Sequence, residues 1–221
     1  GSRLGELTRY VPKPMLKIGQ DKSLLEHIIN QMVSYGINDI VISTHHLAEK
    51  IHDFFGDGKA FNANISYVRE ETPLGTAGAL SLLEDKSKPL LVMNGDILTT
   101  VNFEAMWRYH HESEAILTIA CRQYDMPIPY GVVKTDKSGD VVEIQEKPHH
   151  SFQINGGIYL VEPEIVQSIP KNTFKNMTDI IAEYCENKQK VNSFVMHEYW
   201  LDVGLPKDYK QAQEDYEKVF K

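Results

Sequence analysis

Two cysteines, Cys121 and Cys185, are the only thiols in 221 residues. They form no CxxC and no disulfide framework, so a reducing, cytoplasmic location is the expectation. Long apolar runs are missing too. None approaches the roughly 18 residues needed to span a bilayer, and mean hydropathy is below zero, which excludes a transmembrane helix. There is no basic run: 23 Lys and Arg are scattered among 31 Asp and Glu, for a net charge of −8. That balance argues against a nucleic-acid duplex or an anionic membrane as partner. Signal-peptide pattern, internal repeat, low-complexity segment and linker are all absent, and one domain spanning 1–221 is the reading.

What is present is ordinary globular composition, 42% apolar and 10% aromatic. That excludes a disordered chain, and a chain this long buries roughly 70% of its unfolded surface. In residues 22–35, Leu25, Ile28, Ile29 and Met32 fall at i, i+3, i+4 and i+7, one apolar helical face stopped by Gly36. The β-branched run 39–44 reads as a buried strand. Further along, 47–55 reads as helix, 65–68 as strand, 77–83 as helix and 90–93 as strand, with Asn102 capping a helix through Tyr109. Strand–helix alternation at this spacing implies a mostly parallel, doubly wound sheet. From Ala115 the texture changes: 115–121, 130–135, 141–146 and 155–161 read as strands joined by tight turns, a hairpin-rich insertion. Helices near 177–186 and 206–219 close the chain.

Ligands of such sheets bind at the carboxyl ends of the strands. Asn94-Gly95-Asp96 follows a strand directly, and Leu74-Gly75-Thr76-Ala77-Gly78 opens a helix with small residues that let a ligand approach the backbone. Gly1-Ser2-Arg3 would end a phosphate-cradling loop if a strand preceded it. Each has a plainer reading. Asp96 suits a cap or turn, Gly75-Thr76 a turn, Lys13 a solvated loop, Glu146-Lys147 an exposed ion pair, and Trp200 a packing aromatic. Taken singly, these residues leave the choice open. Three histidine pairs, His45-His46, His110-His111 and His149-His150, diverge in direction on any regular element, so they make poor chelates and read as solvated or capping residues.

In combination the motifs resemble one family. Gly1-Ser2-Arg3-Leu4, Leu7-Thr8, Pro12-Lys13-Pro14-Met15-Leu16 and Leu24 to Ile29 match the opening signature of the sugar-1-phosphate nucleotidyltransferases. Leu74 to Gly78, Asn94-Gly95-Asp96, Glu146-Lys147-Pro148, Asn155-Gly156-Gly157 and Trp200-x-Asp202-x-Gly204 follow in the family's order. The resemblance covers essentially the whole chain. It implies a Rossmann-like, three-layer α/β/α (GT-A-like) fold. It also implies Mg²⁺-dependent transfer of a nucleotidyl group from an NTP to a sugar 1-phosphate with release of pyrophosphate. By the same resemblance, Gly1, Ser2 and Arg3 hold the triphosphate, Lys13 neutralises charge at the reacting phosphates, and Asp96 and Asp202 hold Mg²⁺. Gly75 and Thr76 fall to the nucleotide. Tyr130, Gly131, Glu146, Lys147, Asn155 and Gly156 line the sugar-phosphate side. The chemistry agrees: an anionic sugar phosphate needs no general base, only positioning and charge cancellation, so the absence of a Ser–His–Asp or Cys–His constellation is expected.

The family's signature begins with a strand and an alanine–glycine–glycine segment ahead of Gly1. The sequence is therefore expected to be part of a longer polypeptide, and bacterial relatives carry this module after regulatory CBS domains. An upstream regulatory domain and a homo-oligomer are the partner expectations. The Leu-Gly-Thr-Ala-Gly form resembles guanylyltransferases. Glu70 and Glu71 precede it; the plainer reading makes both exposed strand-end acids, while a carboxylate such as Glu70 could accept paired hydrogen bonds from guanine, and GTP is the expected donor. Uridylyl, cytidylyl and thymidylyl transfer remain alternatives, as does a catalytically silent nucleotide-sugar-binding subunit.

Overall fold

The computed structural model describes residues 2–19 and 22–220, with side chains from residue 4 onward. In chain order the strands and helices are β1 (Lys17–Ile18), β2 (Lys22–Ser23), α1 (Leu24–Ser34), β3 (Asp39–Thr44), α2 (Ala48–Phe55), β4 (Asn64–Arg69) and α3 (Gly75–Gly78). Then come β5 (Leu90–Met93), β6 (Ile97–Thr99), α4 (Phe103–Glu112), β7 (Leu117–Pro127), β8 (Val132–Thr135), β9 (Val141–Gln145) and β10 (His149–Val161). The chain ends with α5 (Pro163–Ser168), α6 (Met177–Glu186), β11 (Val191–Met196), β12 (Trp200–Asp202) and α7 (Pro206–Val219).

The main sheet runs β11-β7-β10-β5. β10 is antiparallel to both neighbours and β11 is parallel to β7, so three of the four strands point the same way. β3 and β4 form a separate parallel pair. Period-2 alternation puts consecutive residues on opposite faces. Ile158 and Leu160 of β10 enter one core with α1, α2 and α4, whereas Tyr159 and Val161 enter a second with α5 and α6. That is the expected three-layer arrangement. α1 begins with a capping box, in which Ser23 and Glu26 satisfy each other's backbone N–H groups. No helix among the described residues is long and apolar enough to cross a membrane.

The hairpin-rich insertion is present. Beyond the sheet, residues 123–127 of β7 and 149–153 of β10 continue as a two-stranded ribbon, and the β8–β9 hairpin lies between them in sequence. Three expectations need correction. Residues 77–83 do not make one helix: α3 is a single turn followed by a 3₁₀ segment, because the Ala77 and Gly78 amides donate to the Lys175 carbonyl of a distant segment. β3 is buried on alternate residues only, with Val41 facing outward. His110 is not solvated. It is buried, hydrogen-bonded through Nδ1 to the Thr118 hydroxyl at 2.7 Å and through Nε2 to Glu162 at 3.1 Å. Cys121 is core, as read, and burial pushes its thiol pKa up, which keeps it protonated and inert.

Candidate functional site

β5 ends at Met93 and β6 begins at Ile97, so Asn94-Gly95-Asp96 is the turn between them at the carboxyl end of β5. The turn is held from two sides. Asn94 N–H donates to the Gly157 carbonyl at 2.9 Å, and Val203 N–H donates to the Asp96 carbonyl at 2.9 Å. The second bond extends the antiparallel β12–β6 ladder, in which Asp202 is opposite Ile97. Two carboxylates 106 positions apart in sequence (96 and 202) thereby arrive at neighbouring positions on one ladder. Lys13 completes the group: its ammonium pairs with Asp96 Oδ2, the lysine side chain being 13% exposed and the aspartate 29%. A Cβ on Gly95 would lie 3.3 Å from the Pro14 ring, so the glycine lets the Pro12-Lys13-Pro14 segment rest on the turn.

Beside this group lies a cavity of about 290 Å³. Asn155, Gly156 and Tyr159 from β10, Trp200 and Asp202 from β12, and Thr76 from α3 contribute to its walls. Trp200 donates its indole N–H to the Gly156 carbonyl at 2.8 Å. The Asn155 amide donates to the Tyr159 hydroxyl at 2.8 Å and accepts from Gly157 N–H at 2.9 Å, which fixes its rotamer. Burial raises the Tyr159 pKa, so the phenol stays protonated. Asn94, from the Asn94-Gly95-Asp96 motif, also faces this cavity, as do Asn176 and Thr178, which were missed in the sequence reading. The only signal was the step from a polar 171–176 segment into the apolar periodicity of α6.

The expected site residues divide into four groups, the last being Glu70 and Gly75, which are held by the chain itself. Lys13, Asp96, Asp202, Asn155, Gly156 and Thr76 are brought together at this end of the sheet. Tyr130, Gly131, Glu146 and Lys147 lie around the β8–β9 hairpin, all exposed, and none lines the cavity. Within that group a Cβ on Gly131 would lie 3.0 Å from Glu146 Oε2, and Lys147 has a left-handed backbone with φ 45°. Gly1 and the side chains of Ser2 and Arg3 lie outside the described residues.

Glu70 has internal partners: its carboxylate accepts from the Ser43 hydroxyl and from Leu74 N–H, the latter at 2.8 Å, and so holds the loop ahead of α3. Gly75 and Gly78 are packed against the chain itself. A Cβ on Gly75 would lie 2.6 Å from the Lys175 carbonyl oxygen, and one on Gly78 would lie 2.4 Å from that of Thr173.

The donor set of Asp96 and Asp202 is two hard carboxylates and nothing more. No cluster of three His, Cys, Asp or Glu able to hold a metal occurs among the described residues. Such a pair fits Mg²⁺, which binds through one or two carboxylates and completes its shell with water and phosphate oxygens.

A family model described as nucleotidyl transferase matches residues 1–219. The chain is 30% identical over 221 residues to a mannose-1-phosphate guanylyltransferase of Mycobacterium tuberculosis, covering 97% of this chain and 61% of that protein. It is 31% identical over 232 residues to a UTP–glucose-1-phosphate uridylyltransferase of Synechocystis sp., covering 96% of this chain and 60% of that one. The chain thus spans about 60% of the length of these curated relatives. Among solved structures, it matches HddC from Yersinia pseudotuberculosis with a TM-score of 0.74 and 25% identity, over 98% of this chain and 95% of that one.

Proposed function

This chain belongs to the nucleotidyl transferase family, and on that premise we propose that it transfers a nucleotidyl group from GTP to a sugar 1-phosphate, releasing pyrophosphate. The observation that carries the proposal is the Lys13–Asp96 ion pair on the turn after β5, with Asp202 opposite Ile97 on the adjoining ladder and lining the neighbouring cavity together with Asn155 and Gly156. Guanylyltransferases among the relatives favour GTP; the uridylyltransferase relative keeps UTP as the rival donor.

In this reading an oxygen of the sugar phosphate forms a bond to the α-phosphorus of the nucleotide. The bond from that phosphorus to the β-phosphate bridging oxygen breaks, and pyrophosphate leaves in line. The attacking oxygen is already anionic, so the protein supplies no base. Its tasks are to align two anions and to cancel their charge. Lys13, held between prolines with little freedom to lose, presents its ammonium to the phosphates. Arg3 and Lys147 are assigned the same task at the two ends of the reacting group. Asn155, with its amide already oriented, hydrogen-bonds a sugar hydroxyl, and Tyr130, Gly131 and Glu146 approach from the insertion. Mg²⁺, held by Asp96 and Asp202, would supply further neutralisation of phosphate charge. Two unpaired cysteines agree with a reducing compartment such as the cytoplasm.

The test is pyrophosphate release by the full-length protein with Mg²⁺, each of GTP, UTP, CTP, dTTP and ATP, and a panel of sugar 1-phosphates. Release with GTP and one sugar is expected. Asp96→Asn should lower turnover about 100-fold or more, the scale of removing one preorganised electrostatic group, with the fold intact by circular dichroism. No release with any pair from folded protein would overturn the proposal, and unchanged turnover in Asp96→Asn would overturn the metal assignment.

A further inference from the structure

We infer that Thr76 is a positioning residue that couples the two substrate subsites, an inference that rests on the reading just given. The loop assigned to the nucleotide, residues 74–78, is laced to residues 173–177 at the start of α6. Lys175 N–H donates to the Leu74 carbonyl at 2.9 Å, and the Lys175 carbonyl accepts from Ala77 and Gly78 at 2.9 and 3.1 Å. Thr76 makes the remaining ties. Its hydroxyl accepts from Met177 N–H at 2.9 Å, and its own N–H points to Asn176 Oδ1 at 3.5 Å. Met177 is the first residue of α6, so its amide has no acceptor within its own helix. The hydroxyl supplies that acceptor from a segment about 100 residues away.

The packing leaves no room for the segments to slide, because the Cβ positions of Gly75 and Gly78 are filled by the 173–175 backbone. Thr76, Asn176 and Thr178 then present themselves to the cavity that Asn155 and Gly156 also line. A nucleotide that orders the 74–78 loop therefore orders one wall of the sugar-phosphate cavity. By linkage the sugar phosphate does the same for the nucleotide.

The experiment is calorimetric titration of the full-length protein with the α,β-methylene analogue of GTP, whose α–β link cannot be cut, with Mg²⁺ and with or without mannose 1-phosphate. In the wild type the sugar phosphate should tighten analogue binding by about fivefold or more, the lower range of measured couplings. In Thr76→Val the factor should fall below about twofold, whatever that variant's affinity for the analogue alone; Thr76→Ser should retain the coupling. Hydrogen exchange gives a readout in the wild type alone: the analogue by itself should slow exchange across 175–180. An unchanged factor in Thr76→Val, no coupling in the wild type, or unchanged exchange would each overturn the inference. Loss of affinity for the analogue alone, with the factor kept, would make Thr76 a direct contact and overturn it too. Turnover in the pyrophosphate assay separates these failures from failure of the functional reading, since the coupling can be absent while pyrophosphate is still released.

Discussion

Gly157 sits where β10 loses register with β7: Asn155 pairs with Cys121, yet the next pair is Tyr159 with Ile119. Its φ is +69°, and a Cβ there would lie 2.7 Å from the Asn94 amide nitrogen and 3.4 Å from Ile97 Cγ1. Gly157→Ala therefore carries two penalties. The left-handed backbone costs an alanine about 1–2 kcal/mol. Forcing a methyl into filled space costs about 1–3 kcal/mol more. Their sum, about 2–5 kcal/mol, is a large part of the roughly 5–15 kcal/mol that holds a domain folded. At about 2–4 °C per kcal/mol for a chain of this size, Tm should fall by about 4–20 °C. Gly36→Ala is the control, since Gly36 has φ +77° with nothing within 4 Å of the Cβ position. It should show the backbone term alone, a fall of about 2–8 °C. Thermal scans by circular dichroism, with urea midpoints as a second measure, decide the matter. If Gly157→Ala melts no lower than Gly36→Ala, the contact with the Asn94 turn carries no energy and the account of this motif is wrong.

Two further outcomes follow from particular contacts. Ser23→Ala removes the acceptor of Glu26 N–H; an N-cap loss of about 1 kcal/mol should lower the urea midpoint slightly and leave its slope unchanged. His27 has its pKa lowered, chiefly by burial and further by Lys22, against smaller opposing effects from the Ile18 carbonyl and Glu26. The unfolded chain takes up this proton near pH 6.5 while the folded chain resists it, so stability is present above that pH and is lost as pH falls below it. A series of urea midpoints from pH 7.5 to 5 should slope less steeply in His27→Gln, and an identical slope would refute the assignment.

Elements written in local periodicity were legible before any coordinates. The apolar stripe of α1, the β-branched run of β3 and the helices 177–186 and 206–219 stand where the pattern put them. Elements that exist only through distant partners were not. β6 and β12 are three residues each, too short to show a period, and they are strands because Ile97 to Thr99 meets Trp200 to Asp202 across the fold. β11 has a polar middle, Asn192-Ser193, and owes its extension to the parallel ladder with β7. His110 looked like surface because its own neighbours in sequence are polar; Thr118 and Glu162, which satisfy it, come from other elements.

The same division runs through the site and changes what its motifs mean. Glycines in a signature suggest a ligand close to the backbone, yet here the chain itself fills the space: Lys175 and Thr173 at Gly75 and Gly78, Asn94 at Gly157, Ala120 and Met196 at Gly156. A member of the fold with no catalytic activity would need those glycines as much as an active one. They are evidence of architecture. Lys13 and Asp96 fill no such gap, whereas the Asp202 carboxylate lies 3.3 Å from where a Cβ on Gly204 would sit. An apolar pair shaped like Lys13 and Asp96 would hold that contact as well or better, because a partly buried ion pair recovers little beyond its own desolvation. Charge kept there, on a turn already secured by the Asn94 and Val203 amides, has no structural task left to explain it. The argument for chemistry rests on these two side chains, and Asp96→Asn, which removes charge while sparing the backbone bonds, is the substitution that separates catalysis from scaffold.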